Sequence, residues 1–162
     1  GSNDAIKGYT ALAGTTRSTF VWAKVTIAVG MNKTLWAEGN TVAANLYNLS
    51  LYDGDNNNGN PILYTNTQFG TVELTGTTYD GVWPLWSMKK TGNTHTMYIN
   101  NTLIDTITVA QAAPIETAIG SSGNPGSGNI AATIGEVIVY NRLTSAAEDA
   151  QIRNATRWRY GI

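Results

Sequence analysis

The stretch GEVIVYNRLTSAAED, Gly135 to Asp149, reads as a strand that runs through a tight turn into the start of a helix. In IGEVIVYNR, alternation puts Ile134, Glu136, Ile138 and Tyr140 on one face and Val137 and Val139 on the other. Apolar residues on both faces predict a central strand covered on each side. Asn141 and Arg142 form the turn. Ser145 and Glu148 stand at capping-box spacing: the serine oxygen accepts from the amide three residues on, and the glutamate reaches back to the serine amide. A helix is therefore predicted from about Ser145 to Trp158, docked by a narrow face of Ile152, Ala155 and Trp158 or Arg159.

Everything before this ending reads as strand and turn. STFVWAKVTIAV alternates Val21, Ala23, Val25 and Ile27 against Phe20, Trp22, Lys24 and Thr26, with both faces at least partly covered. SNDAIKGYTAL is a weak, edge-like first strand. KTLWAEG, AANLYNLSLYD, NPILYTNTQ and GTVELTG follow at sandwich spacing, each ended by Gly, Asn or Asp. In VWPLWSMKKTG, Pro84 lacks a donor and belongs at a bulge or strand start. THTMYINNTLIDTITV is a hairpin whose Asn100-Asn101 turn suits the positive backbone angles of type I′. AIGSSGNPGSGNIA is a loop. These elements predict an all-β fold, a two-sheet antiparallel jelly-roll sandwich with a short C-terminal helix.

Composition narrows the function classes. A chain of 162 residues suits a single domain, 1–162, and buries roughly 70% of the surface its unfolded form exposes. Net charge is -1 and the cations are scattered, Lys89-Lys90 being the one adjacent pair, so no basic stripe favours nucleic acid. Without cysteine there is neither a disulfide framework nor a thiolate zinc site. No apolar run approaches the length of a membrane span, so no membrane insertion is expected. Charged residues are only 13%, whereas Thr and Asn number 23 and 17, which gives a surface of hydroxyls and amides. GSNDAI reads as the tail of a first strand, and the domain is expected to be excised from a larger protein.

The hairpin TMYINNTLIDT, the Gly-rich loop, IGEVIVYNRLTSAAEDAQI and the closing RYGI together resemble laminin-G-like jelly-roll domains of the concanavalin A-like lectin and glucanase superfamily. The resemblance covers residues 83 to 162. Those domains carry a Tyr-x-Asn-Gly hairpin, an Ala-Glu-Val-x-Val-Tyr-Asn strand and a short helix opened by Ser with Glu following; here Asn101 replaces the hairpin glycine and Gly135 precedes Glu136. Neither change is expected to disturb the fold. The resemblance implies that Glu136 ties its strand to the following turn, that Trp83, Trp86 and Met88 are core, and that Trp158 anchors the helix.

The fold hosts lectins, adhesins, glycosidases, lyases and architectural modules, so function depends on sites. Glycosidases need two carboxyl groups about 5 to 9.5 Å apart, and the superfamily's Glu-x-Asp-x-x-Glu strand motif has no counterpart here. His95 lacks a Ser or Cys partner in catalytic order and reads as an exposed hydrogen-bonding residue. SSGNPGSG lacks the lysine of a phosphate loop. No catalytic residue is therefore assigned. Asp53, Asp55 and Asn57 alternate as oxygen ligands for calcium would, although the glycine falls late at Gly59 and Tyr64 stands where a bidentate Glu belongs; a solvated turn is the competing reading. Sugars stack C–H faces on aromatics while amides and hydroxyls take their oxygens. Trp22, Trp36, Tyr98 and Asn100 are the candidate ligand contacts.

The expected function is a non-catalytic carbohydrate-binding or adhesion module of a larger extracellular or phage receptor-binding protein. Its partner would be a glycan or cell-surface receptor. The alternative is an architectural virion domain touching virion or cell-surface protein neighbours; a glycoside hydrolase or lyase ranks third. The expected location is extracellular, at the cell surface or in a virion.

Overall fold

The computed structural model describes residues 6–8, 16–25, 32–39, 47–52, 60–65, 68–70, 82–108, 116–120 and 132–161. The strands are β1 (Ile6–Gly8), β2 (Thr16–Val25), β3 (Asn32–Gly39), β4 (Tyr47–Tyr52), β5 (Asn60–Thr65), β6 (Gln68–Gly70), β7 (Leu85–Thr91), β8 (Thr94–Ile99), β9 (Thr102–Thr108), β10 (Glu116–Ile119) and β11 (Ala132–Tyr140). Helix α1 (Ala146–Thr156) continues into a 3-10 turn, Arg157–Tyr160. The described strands form two antiparallel sheets, ordered β1-β10-β3-β4-β5-β6 and β11-β2-β7-β8-β9. No described helix is long and apolar enough to cross a membrane.

Strand parity explains the core. Val21 and Ala23 of β2, Trp86 and Met88 of β7, Met97 and Ile99 of β8 and Ile107 of β9 pack with Leu35 and Trp36 of the other sheet. The opposite positions of β2, Phe20 and Trp22, form a second cluster with Leu85, closed by Ile138, Tyr140, Ile152 and Tyr160. The five-stranded sheet is thus apolar on both faces along β2, as its alternation predicts. Pro84 directly precedes β7, where its missing donor removes no ladder bond. The β8–β9 turn has φ of 51° at Asn100 and 67° at Asn101, the positive pair that type I′ requires.

The terminal strand departs from the sequence reading in two ways. β11 lies at the edge of its sheet, beside β2 alone. It nevertheless carries apolar residues on both faces, because its inner residues join the main core and its outer ones lie with the C-terminal segment. Its register also shifts between Ile134 and Glu136. The extra residue of this bulge reverses the alternation, so Ile134 sits with Val137 and Val139 in the main core. Gly135 is the close approach at the bulge: a Cβ there would stand 2.3 Å from a carbon of the Tyr160 ring.

His95 is also corrected. It is 0% exposed, since β8 parity sends it inward with Met97 and Ile99. It continues a row of register partners, Arg17, Lys90 and His95, all buried. Burial, reinforced by the positive charges of Lys90 and Arg17, lowers its pKa from 6.5 to about 3.

Candidate functional site

The C-terminal segment forms a roof over part of the five-stranded sheet, and polar residues fasten it. Ser145 accepts from the Glu148 amide at 3.3 Å while Glu148 accepts from the Ser145 amide at 2.8 Å, the predicted capping box. Arg142 grips the same carboxylate at 2.6 and 3.0 Å, and its hydrogen bonds together with the Ser145 amide hold the Glu148 pKa down at about 2. Beneath the helix, Lys89 Nζ meets Asp149 Oδ2 and donates to the Thr144 carbonyl, both at 2.6 Å. Thr144 donates its hydroxyl to Asp149 Oδ1 at 2.6 Å and its amide to Ser18 Oγ at 2.9 Å. The buried pair Lys89–Asp149 is therefore fully embedded in hydrogen bonds, the condition under which burying charge is tolerated.

This arrangement corrects the predicted docking face. Asp149 and Thr156 are buried and Ile152 is partly buried, whereas Ala155 and Trp158 are exposed. Hydrophobicity alone misplaces the face because two of its anchors are polar. Trp158, expected to anchor the helix, is 70% exposed. Glu136 does tie its strand down, but to the terminal 3-10 turn: it accepts from Arg159 at 3.1 Å.

The four predicted ligand contacts do not come together. Trp22 is 1% exposed, donates Nε1–H to Thr156 Oγ1 and stacks on Tyr160 with ring centroids 5.0 Å apart. Trp36 is 3% exposed in the main core. Enclosed on all sides, neither offers a ring face to a ligand, and the expectation for these two is corrected. Of the apolar strand residues, Trp86 and Met88 are core as expected, while Trp83 is half-buried with its ring 4.7 Å from Tyr160. Asp53, Asp55 and Asn57 lie outside the described residues, as does Glu73. Among the described residues no group of three potential metal-ligating side chains occurs.

Tyr98 and Asn100 remain at the surface, close together at the end of β8. Tyr98 is half-buried on the outer face, with the Lys89 ammonium 5.5 Å from its ring centroid. Asn100 is exposed, and its Oδ1 accepts from the Leu85 amide at 3.0 Å, so its carboxamide nitrogen is the group left to face outward. Directly opposite Tyr98 is Leu103, 59% exposed. Next along the strands come the pairs Thr96–Thr106 and Thr94–Thr108, each with hydroxyl oxygens 3.3 Å apart. The apolar contacts of the roof are with β11, β2 and β7, and the Lys89 side chain that holds Asp149 borders the Tyr98 ring. The outer face of β8–β9 is thus a ladder of hydroxyls ending in a tyrosine, a leucine and an amide. Sequence reasoning named Tyr98 and Asn100 as candidates; strand pairing sets the threonines and Leu103 beside them.

The carboxylates near the roof are all engaged. Glu136 is paired with Arg159, Glu148 with Arg142 and Asp149 with Lys89. Each therefore has a structural partner.

No protein-family model and no curated protein matches the sequence. Solved structures do. Domain 4 of AbnA, a GH43 extracellular arabinanase from Geobacillus stearothermophilus in complex with arabinotriose, is similar with a TM-score of 0.68 and 16% identity, over 91% of this chain and 71% of that one. The Ruminococcus gnavus IT-sialidase CBM40 is similar with a TM-score of 0.63 and 14% identity, over 94% of this chain and 99% of that one. NanB with Optactamide gives 0.63 and 16% identity over 93% of this chain, which spans only 26% of the NanB chain. These likenesses are of fold alone, a lectin-like β-sandwich, the kind of fold that the sequence resemblance implies.

Proposed function

We propose that this chain is a non-catalytic glycan-binding module, a jelly-roll sandwich of two antiparallel sheets within a larger extracellular protein. The observation that carries the reading is the outer face of β8–β9, where half-buried Tyr98 and exposed Leu103 stand beside Thr96, Thr106 and the Asn100 amide. An aromatic ring takes the C–H face of a sugar, and neutral hydroxyls and amides exchange hydrogen bonds with its hydroxyls at little desolvation cost. Likeness to an arabinanase domain in complex with arabinotriose and to a sialidase CBM40 supports a glycan as ligand. The engagement of Glu136, Glu148 and Asp149 in ion pairs supports a module without hydrolytic chemistry. Calcium held by Asp53, Asp55 and Asn57 is an accessory part of the proposal: it would order a loop and take no part in chemistry.

The test is a glycan array with and without calcium, followed by calorimetric titration of the best ligand. Tyr98→Ala should weaken binding about tenfold, the equivalent of roughly 1.4 kcal/mol, and leave the melting temperature within a few degrees. Asp53→Ala with Asp55→Ala should remove any calcium-dependent gain. Absence of binding to every glycan under both conditions, or release of reducing ends from the ligand, overturns the reading.

A further inference from the structure

Trp158 is the largest exposed apolar residue of the described chain, and two exposed arginines flank it. Its ring is held in place without any ligand: Nε1–H donates to the Ala155 carbonyl at 2.7 Å, and the Arg159 guanidinium lies 5.5 Å from the ring centroid. Arg159 is itself fixed by Glu136. Because the polar edge is already satisfied, what the ring offers outward is apolar surface. Trp158 also has amide neighbours, since Gln151 and Asn154 are exposed at helical spacing before it.

Arginines outnumber carboxylates around this ring, where Glu136 is the described anion and pairs with Arg159. Arg153, Arg157 and Arg159 share one seven-residue stretch, RNATRWR, that contains no acidic residue. The ion pairs among the described residues take Lys89, Arg142 and Arg159 and not Arg157, and Nε of Arg153 is buried without a hydrogen-bond partner. Basic residues at a helix C-terminus do complement its dipole, but Arg153 and Arg157 are four apart, a spacing at which like charges oppose helix formation. A local excess of cations beside a fixed aromatic plane is complementary to a ligand that joins a C–H face to an anion.

We propose that the Arg157-Trp158-Arg159 turn is a second binding platform that takes an anionic sugar unit, the pyranose face stacking on Trp158 and the anionic group pairing with Arg157. The proposal rests on the glycan-binding reading and adds a second place and a ligand chemistry to it. A carboxylate and a sulfate would satisfy the same guanidinium geometry, so the probes separate them: a galacturonate trisaccharide, a sulfated galactose trisaccharide and the neutral galactose trisaccharide.

Calorimetric titration of the whole chain with each probe at low and high salt tests this. At least one anionic probe should bind ten times tighter than the neutral one in low salt, with the preference falling as salt screens it. Trp158→Ala and Arg157→Gln should each reduce that preference about tenfold, while Tyr98→Ala leaves it in place. Both exposed residues should be replaceable with the melting temperature unchanged within a few degrees. Binding of the neutral probe through Tyr98 with no anionic preference would overturn this proposal alone. If no probe binds, and no other glycan does, the broader reading fails with it. Self-association abolished by Trp158→Ala, without sugar binding, would also overturn it and assign the surface to a second copy of the chain.

Discussion

The five-stranded sheet has one outer face built in two halves. Over β11, β2 and β7 it presents Ile138, Tyr140, Phe20, Trp22 and Leu85, and the C-terminal segment covers it. Over β8 and β9 it presents Thr94, Thr96, Tyr98, Leu103, Thr106 and Thr108, bordered at Tyr98 by the Lys89 ammonium that pairs with Asp149 of the roof. Both halves belong to one hydrogen-bonded sheet, whose register shifts at Ile134/Glu136 and at Met97/Tyr98. Side-chain chemistry at alternate positions therefore decides which half packs under the C-terminal segment and which half carries a ladder of hydroxyls. A covered half must match its roof closely, whereas a bare half needs only to stay soluble and ordered.

That contrast makes Trp22 the most sensitive position. Trp22→Ala removes the stack on Tyr160 and the bond to Thr156 together, and should destabilise by about 3–5 kcal/mol. For a domain of this length the loss corresponds to a fall in melting temperature of roughly 6 to 20 °C. Trp22→Phe, which keeps an aromatic ring and loses only the donor, should fall between. A Trp22→Ala melting curve within 3 °C of the parent would mean that the roof contributes little to the sheet, and the two halves would not differ as argued.

The division between halves was only partly legible in the sequence. Period-two alternation in β2 identifies both apolar faces, and the Asn100-Asn101 turn and the Ser145–Glu148 box fix the hairpin and the helix start from local chemistry alone. The bulge at Gly135 was not legible, because one extra residue changes every face assignment before it and leaves no periodic signal. The helix face was misread for a related reason: its anchors Asp149 and Thr156 are polar, and their partners Lys89, Thr144 and Trp22 become neighbours only in the fold. Trp22, Trp36 and Trp158 were each assigned the wrong environment. Aromatic identity says that a residue must find a setting, and tertiary structure says which one. The neighbourhood of Tyr98 and Asn100 was legible because a hairpin fixes its own neighbours.

The inner face beneath the bare half supplies the next test. His95 has a folded pKa of about 3 against an unfolded value of 6.5, so the unfolded chain binds more protons throughout that interval. Its contribution is present in full above pH 6.5 and is lost as pH falls toward 3, at up to about 1.4 kcal/mol per pH unit. Glu148 acts with the same sign but lower, between its ordinary 4.5 and about 2. Urea unfolding from pH 7 to 5 therefore isolates the histidine. His95→Gln should flatten the dependence in that window, whatever it does to stability at pH 7. An unchanged slope would show that His95 is protonated in the native state and that this inner face is less enclosed than its burial indicates.

The smallest expected effect lies on the bare half itself. Thr96 and Thr106 are hydrogen-bonded neighbours on adjacent strands, exposed enough for water to replace either hydroxyl when the other is removed. Cross-strand threonine pairs contribute on the order of 0.2–1 kcal/mol, and exposed substitutions usually change stability by no more than about 0.5 kcal/mol. The double substitution Thr96→Ala with Thr106→Ala, completed as a four-member cycle by urea unfolding, should accordingly show a coupling below about 0.5 kcal/mol. The same pair should matter more to a bound glycan, because a hydroxyl withdrawn from a ligand contact leaves a sugar hydroxyl facing a methyl group. Loss of affinity without loss of stability is the pattern of a surface held for a partner. A coupling above about 1.5 kcal/mol would mean that the threonine ladder serves the sheet, and the two halves would then differ in chemistry but not in purpose.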